Sequence, residues 1–201
     1  VPVSEYPSRI DLAVVAVCRT GFCRIGINLK EYNVESNSLV ITLPNQIIQL
    51  FEVSPDFSGA FIAVSRNFVD NMFPKFKELL PIFLYLQNNP CARIGEYDLG
   101  CILEYHTFLW KKVRMNDNIY RKGVAQGILQ AMFYDVCNIF RMHMNVVKKS
   151  RKEELFELFI ESIYEHYKKE RTVSFYAGKL CVTPKYLSSL VKTVSGKTAG
   201  E

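Results

Sequence analysis

The 201-residue sequence predicts an α+β chain in two parts, with antiparallel strands in its first third and helices after them, the last of these forming a helix-turn-helix. Three observations carry that expectation. Apolar runs of strand length alternate with turn residues up to about residue 66, helical periodicity takes over after about Asn67, and a helix start signal stands at Thr183-Pro184.

Residues 12–18, 23–29, 39–43, 47–53 and 60–64 are rich in Val, Ile and Phe, and Thr20-Gly21, residues 35–38, Pro44-Asn45 and residues 54–59 punctuate them. Short β-branched runs bounded by turn residues predict a meander or barrel of antiparallel strands over residues 1–66. In residues 23–29 the apolar side chains take every second position, as a strand with one face in a core and the other in water requires. Residues 12–17 show no such alternation and should be covered on both faces.

Two long helices should follow, within residues 67–147. Leu99, Ile102, Leu103, His106, Leu109, Trp110 and Val113 keep helical spacing, and so do Val124, Ile128, Ala131, Met132, Val136, Ile139, Phe140 and Met144. On the second helix Leu129, Phe133, Cys137 and Met142 lie off the main stripe. That width has two readings: a partner subunit, which makes the protein a homodimer, or a helix sandwiched between the strands and its neighbour.

The polar break Lys148-Lys149-Ser150-Arg151-Lys152 sets a domain boundary, giving residues 1–147 and 148–201. A third helix is expected from about residue 153 to 169, with Leu155, Phe159, Ile163 and Tyr167 in line, acids early and lysines late to match the helix dipole. Residues 172–192 then read as a short helix, a tight turn and a second helix. Thr183 can cap that second helix through its hydroxyl, and Pro184 loses nothing in the first turn by lacking an N–H. Leu187, Leu190, Val191 and Val194 make its buried stripe and leave Lys185, Ser188, Ser189 and Lys192 facing outward. A short, basic, hydroxyl-rich helix face suits the major groove of DNA, where serines can reach bases directly or through water and lysines can hold phosphates. An ordinary solvated surface has the same composition.

Charge distribution agrees with the first of these readings. The formal net charge is +5, but residues 146–201 alone carry eleven bases against seven acids, and phosphate attraction depends on clustering more than on the total. Several function classes are excluded or weakened. The six cysteines, Cys18, Cys23, Cys91, Cys101, Cys137 and Cys181, are spread out and read as reduced core residues, not zinc ligands. The only histidines are His106, His143 and His166, all expected in helices, so the strands lack the ligands of a metal-binding barrel and no His stands ready to activate a nucleophile. There is no phosphate-binding glycine loop and no apolar run of the ~20 residues a membrane span needs, and the first residues do not have the basic-then-apolar pattern of a cleavable leader. The expectation is a cytoplasmic non-enzyme with no catalytic residue, metal or cofactor.

Residues 156–201 resemble the DNA-binding domain of AraC-family transcription regulators. Ala177 and Leu180 match the core pair of that domain's first short helix, Thr183-Pro184 its helix start, Tyr186-Leu187 the following pair, and Ser195-Gly196-Lys197 its terminal motif. Gly21 between two strands and the run at residues 39–46 are similar to the cupin-like sensor barrel that many such regulators carry, and the two long helices stand where the family has its dimerisation element. The resemblance implies promoter DNA as partner, a small-molecule or protein signal at the barrel, a homodimer and contact with RNA polymerase. It also implies a second helix-turn-helix, whose connecting helix should begin at residues 198–201, so the sequence reads as a fragment ending with the first half of the DNA-binding domain. Two departures stand out: Cys181 occupies a turn position where the family often has Gly, and Ser189 stands where many members have Arg.

For the barrel, Phe22, Arg24, Gln49, Phe51 and Phe61 combine aromatic walls with polar groups, a composition equally of a ligand pocket and of a filled core. The functional expectation is a DNA-binding transcription regulator reading DNA through residues 184–194. The alternative is a sensor or protein-interaction module whose helical tail binds a partner protein.

Overall fold

The computed structural model describes residues 6–68, 82, 85–115, 117–144, 150–195 and 198–199. Lys148 and Lys149 of the expected break, the Gly196-Lys197 pair and the side chains of His143, Met144 and Ser195 lie outside what is described. Two compact units divide the chain. The described residues of the larger fall within Val1–Pro74 and Tyr85–His143, and those of the smaller within Lys75–Leu84 and Met144–Glu201.

The larger unit is α+β. Its strands are β1 (Ser8–Ile10), β2 (Leu12–Thr20), β3 (Phe22–Ile27), β4 (Lys30–Glu35), β5 (Ser38–Thr42), β6 (Gln46–Val53), β7 (Ser58–Ser65) and β8 (Cys91–Arg93). They form two four-stranded antiparallel sheets, ordered β1-β6-β3-β4 and β7-β2-β5-β8. The expected barrel is therefore two separate sheets, with no ladder closing them among the described strands. Their shared core joins Cys18 of β2 and Val40 of β5 to Cys23 and Ile27 of β3 and Val34 of β4. The alternation in β3 works as expected: Cys23, Ile25 and Ile27 face this core. Sheet β7-β2-β5-β8 is covered on its other face too at Val17, Leu39 and Ile41, but of residues 12–17 only Val17 is buried, residues 13–16 are half-buried and Leu12 is exposed, so the expected cover on both faces is partial.

Three strands escaped the sequence reading: β1, β4 and β8. The turn from β3 to β4 is Asn28-Leu29, with φ of 48° and 67°, a two-residue hairpin of the mirror-image type that matches strand twist. Leu29 is not a turn former, so the expected strand ran on through it to residue 29. At Gly21 (φ 71°) the chain crosses from β2 in one sheet to β3 in the other.

Helix α1 (Glu96–Val113) packs on β7, and α2 (Arg121–Met144) is tied to α1 by Tyr105, whose O–H donates to Asp135 Oδ2 at 2.7 Å. That bond pushes the phenol up to about 12. The α1 stripe is buried at Ile102 and Leu109 only; Trp110 and Val113, expected inside, are about half exposed. The Arg114 guanidinium lies 3.9 Å from the Trp110 ring centroid and gives the exposed indole a cation partner. On α2, Leu129 and Cys137 are buried and Phe133 is half-buried within the chain, so only Met142 of the off-stripe residues faces solvent.

The smaller unit is helical: α3 (Arg151–His166), α4 (Val173–Lys179) and α5 (Pro184–Ser195). Ser150 starts α3 two residues earlier than expected through a capping box, its Oγ accepting from Glu153 N–H while Glu153 Oε2 accepts from Ser150 N–H. Phe156, Phe159, Tyr176, Ala177, Leu187, Leu190 and Val191 form the core.

Five of the six cysteines are buried or half-buried and all are free, but Cys181 is exposed, correcting its assignment to the core. Burial pushes the thiols of Cys91 and Cys137 up to about 12 and that of Cys23 to about 11, so they stay protonated and inert.

Candidate nucleic-acid interface

The helix-turn-helix is built from local bonds that its sequence specifies. Thr172 caps α4, its Oγ1 accepting from Phe175 N–H at 3.4 Å. After Lys179 the chain must stop being helical within three residues, and it does so through two backbone bonds: Val182 N–H to Ala177 O at 3.0 Å and Cys181 N–H to Gly178 O at 3.2 Å. That pairing is the Schellman motif, which requires a left-handed residue after the cap. Cys181 is that residue, with φ 54°. The turn position where a Gly is usual thus has the conformation that favours Gly, and a side chain there costs about 1–2 kcal/mol.

Thr183 then opens α5 as its sequence foretells. Its Oγ1 accepts from Tyr186 N–H at 3.2 Å and its carbonyl accepts from Leu187 N–H at 2.9 Å. Leu187, Leu190 and Val191 are at most 4% exposed and anchor α5 on α3 and α4. The opposite face carries Lys185, Ser188, Ser189 and Lys192, all exposed and spaced at three and four along one stripe. Two neighbours on that surface were not singled out from sequence. Tyr186 is 43% exposed at the start of the helix, and Thr193 donates its hydroxyl to the Ser189 backbone carbonyl at 2.8 Å. Lys179, at the end of α4, contacts His166 Nε2, and the His166 ring packs edge-on against Phe175 with centroids 5.5 Å apart. No acid lies in the first turn of either α4 or α5. A phosphate approaching these two N-termini meets partial positive charge and no carboxylate on them.

The five residues do not form one pocket between the sheets. Phe22, Arg24, Gln49 and Phe51 share the outer face of the β1-β6-β3-β4 sheet, since Cys23, Ile25 and Ile27 take the inward positions between them. There Arg24 is engaged, bonding Glu31 at 2.9 Å, lying 3.7 Å from Glu52 and resting 5.2 Å from the Phe51 centroid. Phe61, 58% exposed, belongs to the edge strand β7 of the other sheet. Gln49 and Phe51 line a small cleft of about 130 Å³ on that outer face, and Phe22, Arg24 and Phe61 are not among its lining residues.

A different pair occupies the space between the sheets. Thr42 lies on the same face of β5 as Val40, and Gln46 on the same face of β6 as Ile48, both faces belonging to the shared core. Thr42 is 7% and Gln46 5% exposed, yet among the described residues Thr42 Oγ1 and Gln46 Nε2 have no hydrogen-bond partner. The other end of the Gln46 amide is held, Oε1 accepting from Leu43 N–H at 2.8 Å, so the free NH₂ has a fixed direction. Buried polar atoms without partners are rare, and a bound polar group is one way to satisfy them. Sequence reasoning missed both residues because a Thr and a Gln at the ends of strands read as turn flanks.

Among the described residues no cluster of His, Cys, Asp and Glu is placed to hold a metal ion, and no helix is long and apolar enough to cross a membrane.

No known protein family matches the chain by its sequence profile, and no curated protein matches it. Among solved structures it is similar to an apo form of ToxT from Vibrio cholerae strain SCE256, at a TM-score of 0.43 and 12% identity over 94% of this chain and 69% of that one. It is similar to the AraC-like transcriptional activator CuxR at 0.41 and 11%, over 91% of this chain and 61% of CuxR. It is also similar to wild-type ToxT from the same Vibrio strain with unsaturated fatty acid bound, at 0.39 and 13%, over 96% and 86%.

Proposed function

We propose that this chain is part of an AraC-like transcription regulator that binds double-stranded promoter DNA through α5, with Lys185, Ser188, Ser189 and Lys192 as the contacting side chains. The observation that carries the reading is the helix-turn-helix itself: a capped, leucine-anchored second helix whose polar, basic residues are exposed. In such motifs the second helix enters the major groove, where hydroxyls can reach base edges and lysines can neutralise phosphates. Residues 148–201 serve the DNA-binding role, with α4 and α5 as its helix-turn-helix.

The strand-rich part of the chain, within residues 1–147, receives the signal. Support comes from Thr42 and Gln46, whose unpartnered polar atoms point to a polar guest between the sheets. A homodimer forms through the helices α1 and α2, and Phe108, Trp110 and Val113 of α1 are about half exposed. The protein works in the cytoplasm beside RNA polymerase, needs no cofactor and catalyses no reaction. An effector acts by favouring one arrangement of the protein over another, since equal binding to both shifts nothing.

The test is fluorescence anisotropy on a labelled duplex over a range of salt concentrations. Lys192→Ala should weaken binding on every sequence and reduce the slope of log K against log salt by about one unit. An unchanged slope removes Lys192 from the interface. No salt-dependent binding to any duplex favours a module whose helical tail binds a protein.

A further inference from the structure

We propose that the cleft between the end of β7 and the first turns of α2 is a binding site for a small organic anion, with Lys122 as its charge partner. The cleft measures about 460 Å³ and is lined by Ser65, Asn67, Phe68, Lys122 and Gln126. That volume is in the range of sites for small ligands, which run from about 300 to 1,000 Å³.

Its chemistry has one sign. Among the described residues Lys122 is the single cation of the lining, and no carboxylate lies beside it there. No acid pairs with Lys122 among the described residues, and the first turn of α2 contains no acid at all. Lys122 and Gln126 stand four residues apart, hence on one face of α2, so the ammonium and the side-chain amide converge on the same space. From the other wall Ser65 contributes a hydroxyl. Its Oγ already accepts from Phe68 N–H at 3.4 Å, which leaves its own O–H to donate outward. Half-buried Phe68 supplies an apolar surface beside these donors. A concave site with donors, one unneutralised positive charge and an aromatic wall selects a carboxylate or phosphate monoester carrying a compact apolar body.

Both walls belong to the larger unit. Ser65 pairs with Leu12, one inward-facing register step beyond the row that joins Ala63, Val14 and Thr42 across the sheet. The cleft thus opens at the same end of the sheet as the unpartnered Thr42 hydroxyl, but Lys122 and its neighbours are separate groups with a separate mouth. The proposal deepens the effector half of the function given above by naming a site and a ligand class. It depends on that reading for its purpose only, because binding is measured without DNA.

The experiment uses the whole 201-residue chain, labelled with nitrogen-15, in about 0.1 M salt to screen loose surface charge. Phenyl phosphate, benzoate and the neutral control benzyl alcohol are titrated separately. The expected result is saturable shifts in the amides of Ser65, Asn67 and Gln126 with one or both anions, which tells phosphate from carboxylate. Benzyl alcohol should give no comparable saturation. Lys122→Glu and Lys122→Gln should weaken binding by about tenfold or more, while Lys185→Glu leaves it unchanged. Shifts spread evenly over surface lysines, equal binding by the Lys122 variants, or equal binding of the alcohol would overturn the proposal. Failure of DNA binding in the anisotropy assay would leave these outcomes as they are.

Discussion

Leu187→Ala should unfold most of the helical unit. Leu187 is 1% exposed at the centre of the cluster that joins α3, α4 and α5, and truncating such a leucine costs about 2–5 kcal/mol in lost transfer energy and cavity formation. A small helical unit has roughly 3–5 kcal/mol from a single core, so the loss is comparable to the whole. In a nitrogen-15 spectrum the resonances of α3 to α5 should collapse toward random-coil positions while those of the two sheets keep their dispersion. Ser188→Ala, one residue along and exposed, should alter stability by less than about 0.5 kcal/mol. If Leu187→Ala were as mild as Ser188→Ala, the face assignment of α5 would be inverted and its lysines would point inward.

The second large effect is expected at Gly21→Ala, which should destabilise the strand-rich unit by about 2–3 kcal/mol. One part is conformational: φ is 71°, a region where an L side chain costs about 1–2 kcal/mol. Another part is contact. A Cβ on Gly21 would overlap Ser54 Oγ and stand 2.8 Å from the backbone nitrogen and Cα of Phe57, and backbone cannot move aside cheaply. Ser54 Oγ also accepts from Phe22 N–H at 2.9 Å, and displacing it forfeits a hydrogen bond of about 1 kcal/mol. This turn carries the chain from one sheet to the other, so the strain falls where the two layers are joined. A urea melt followed by far-ultraviolet circular dichroism checks it, and a midpoint unchanged from that of the parent chain would contradict the tight crossing.

What could be read from sequence was what local chemistry fixes. Thr183 and Pro184 specify a helix start through one hydroxyl and one missing N–H, and neither needs a distant partner. The period of Leu187, Leu190 and Val191 likewise determines which side of α5 is open. Strands were legible where β-branched residues alternate or cluster, as in β2, β3 and β5. They were hidden where charge interrupts them: β4, Lys-Glu-Tyr-Asn-Val-Glu, is an edge strand whose polar residues face water, and only Tyr32 and Val34 mark it. The capping box at Ser150 and Glu153 was written in the sequence in full but sat inside a basic run that read as a break.

The parts of the sites that were missed depend on which face a residue takes, and composition does not reveal that. Phe22, Arg24 and Phe51 have the composition of a pocket, yet a period of two sends them outward once Cys23, Ile25 and Ile27 go inward. Thr42 and Gln46 have the composition of a turn, yet the pairing of β5 with β2 and of β6 with β1 turns them into the space between the sheets. Trp110 and Val113 sit on a helical stripe that the rest of the fold covers only as far as Leu109.

The central claim is that the exposed face of α5 is where DNA meets this protein. Its most direct test is a titration of the nitrogen-15-labelled chain with a mixed-sequence 20-base-pair duplex at about 50 mM salt, where phosphate attraction is strong. The account predicts that the largest shifts fall on Lys185, Ser188, Ser189 and Lys192 and disappear in the Lys185→Glu, Lys192→Glu double variant. Shifts centred on any other surface, or a double variant that binds as the parent does, would contradict it.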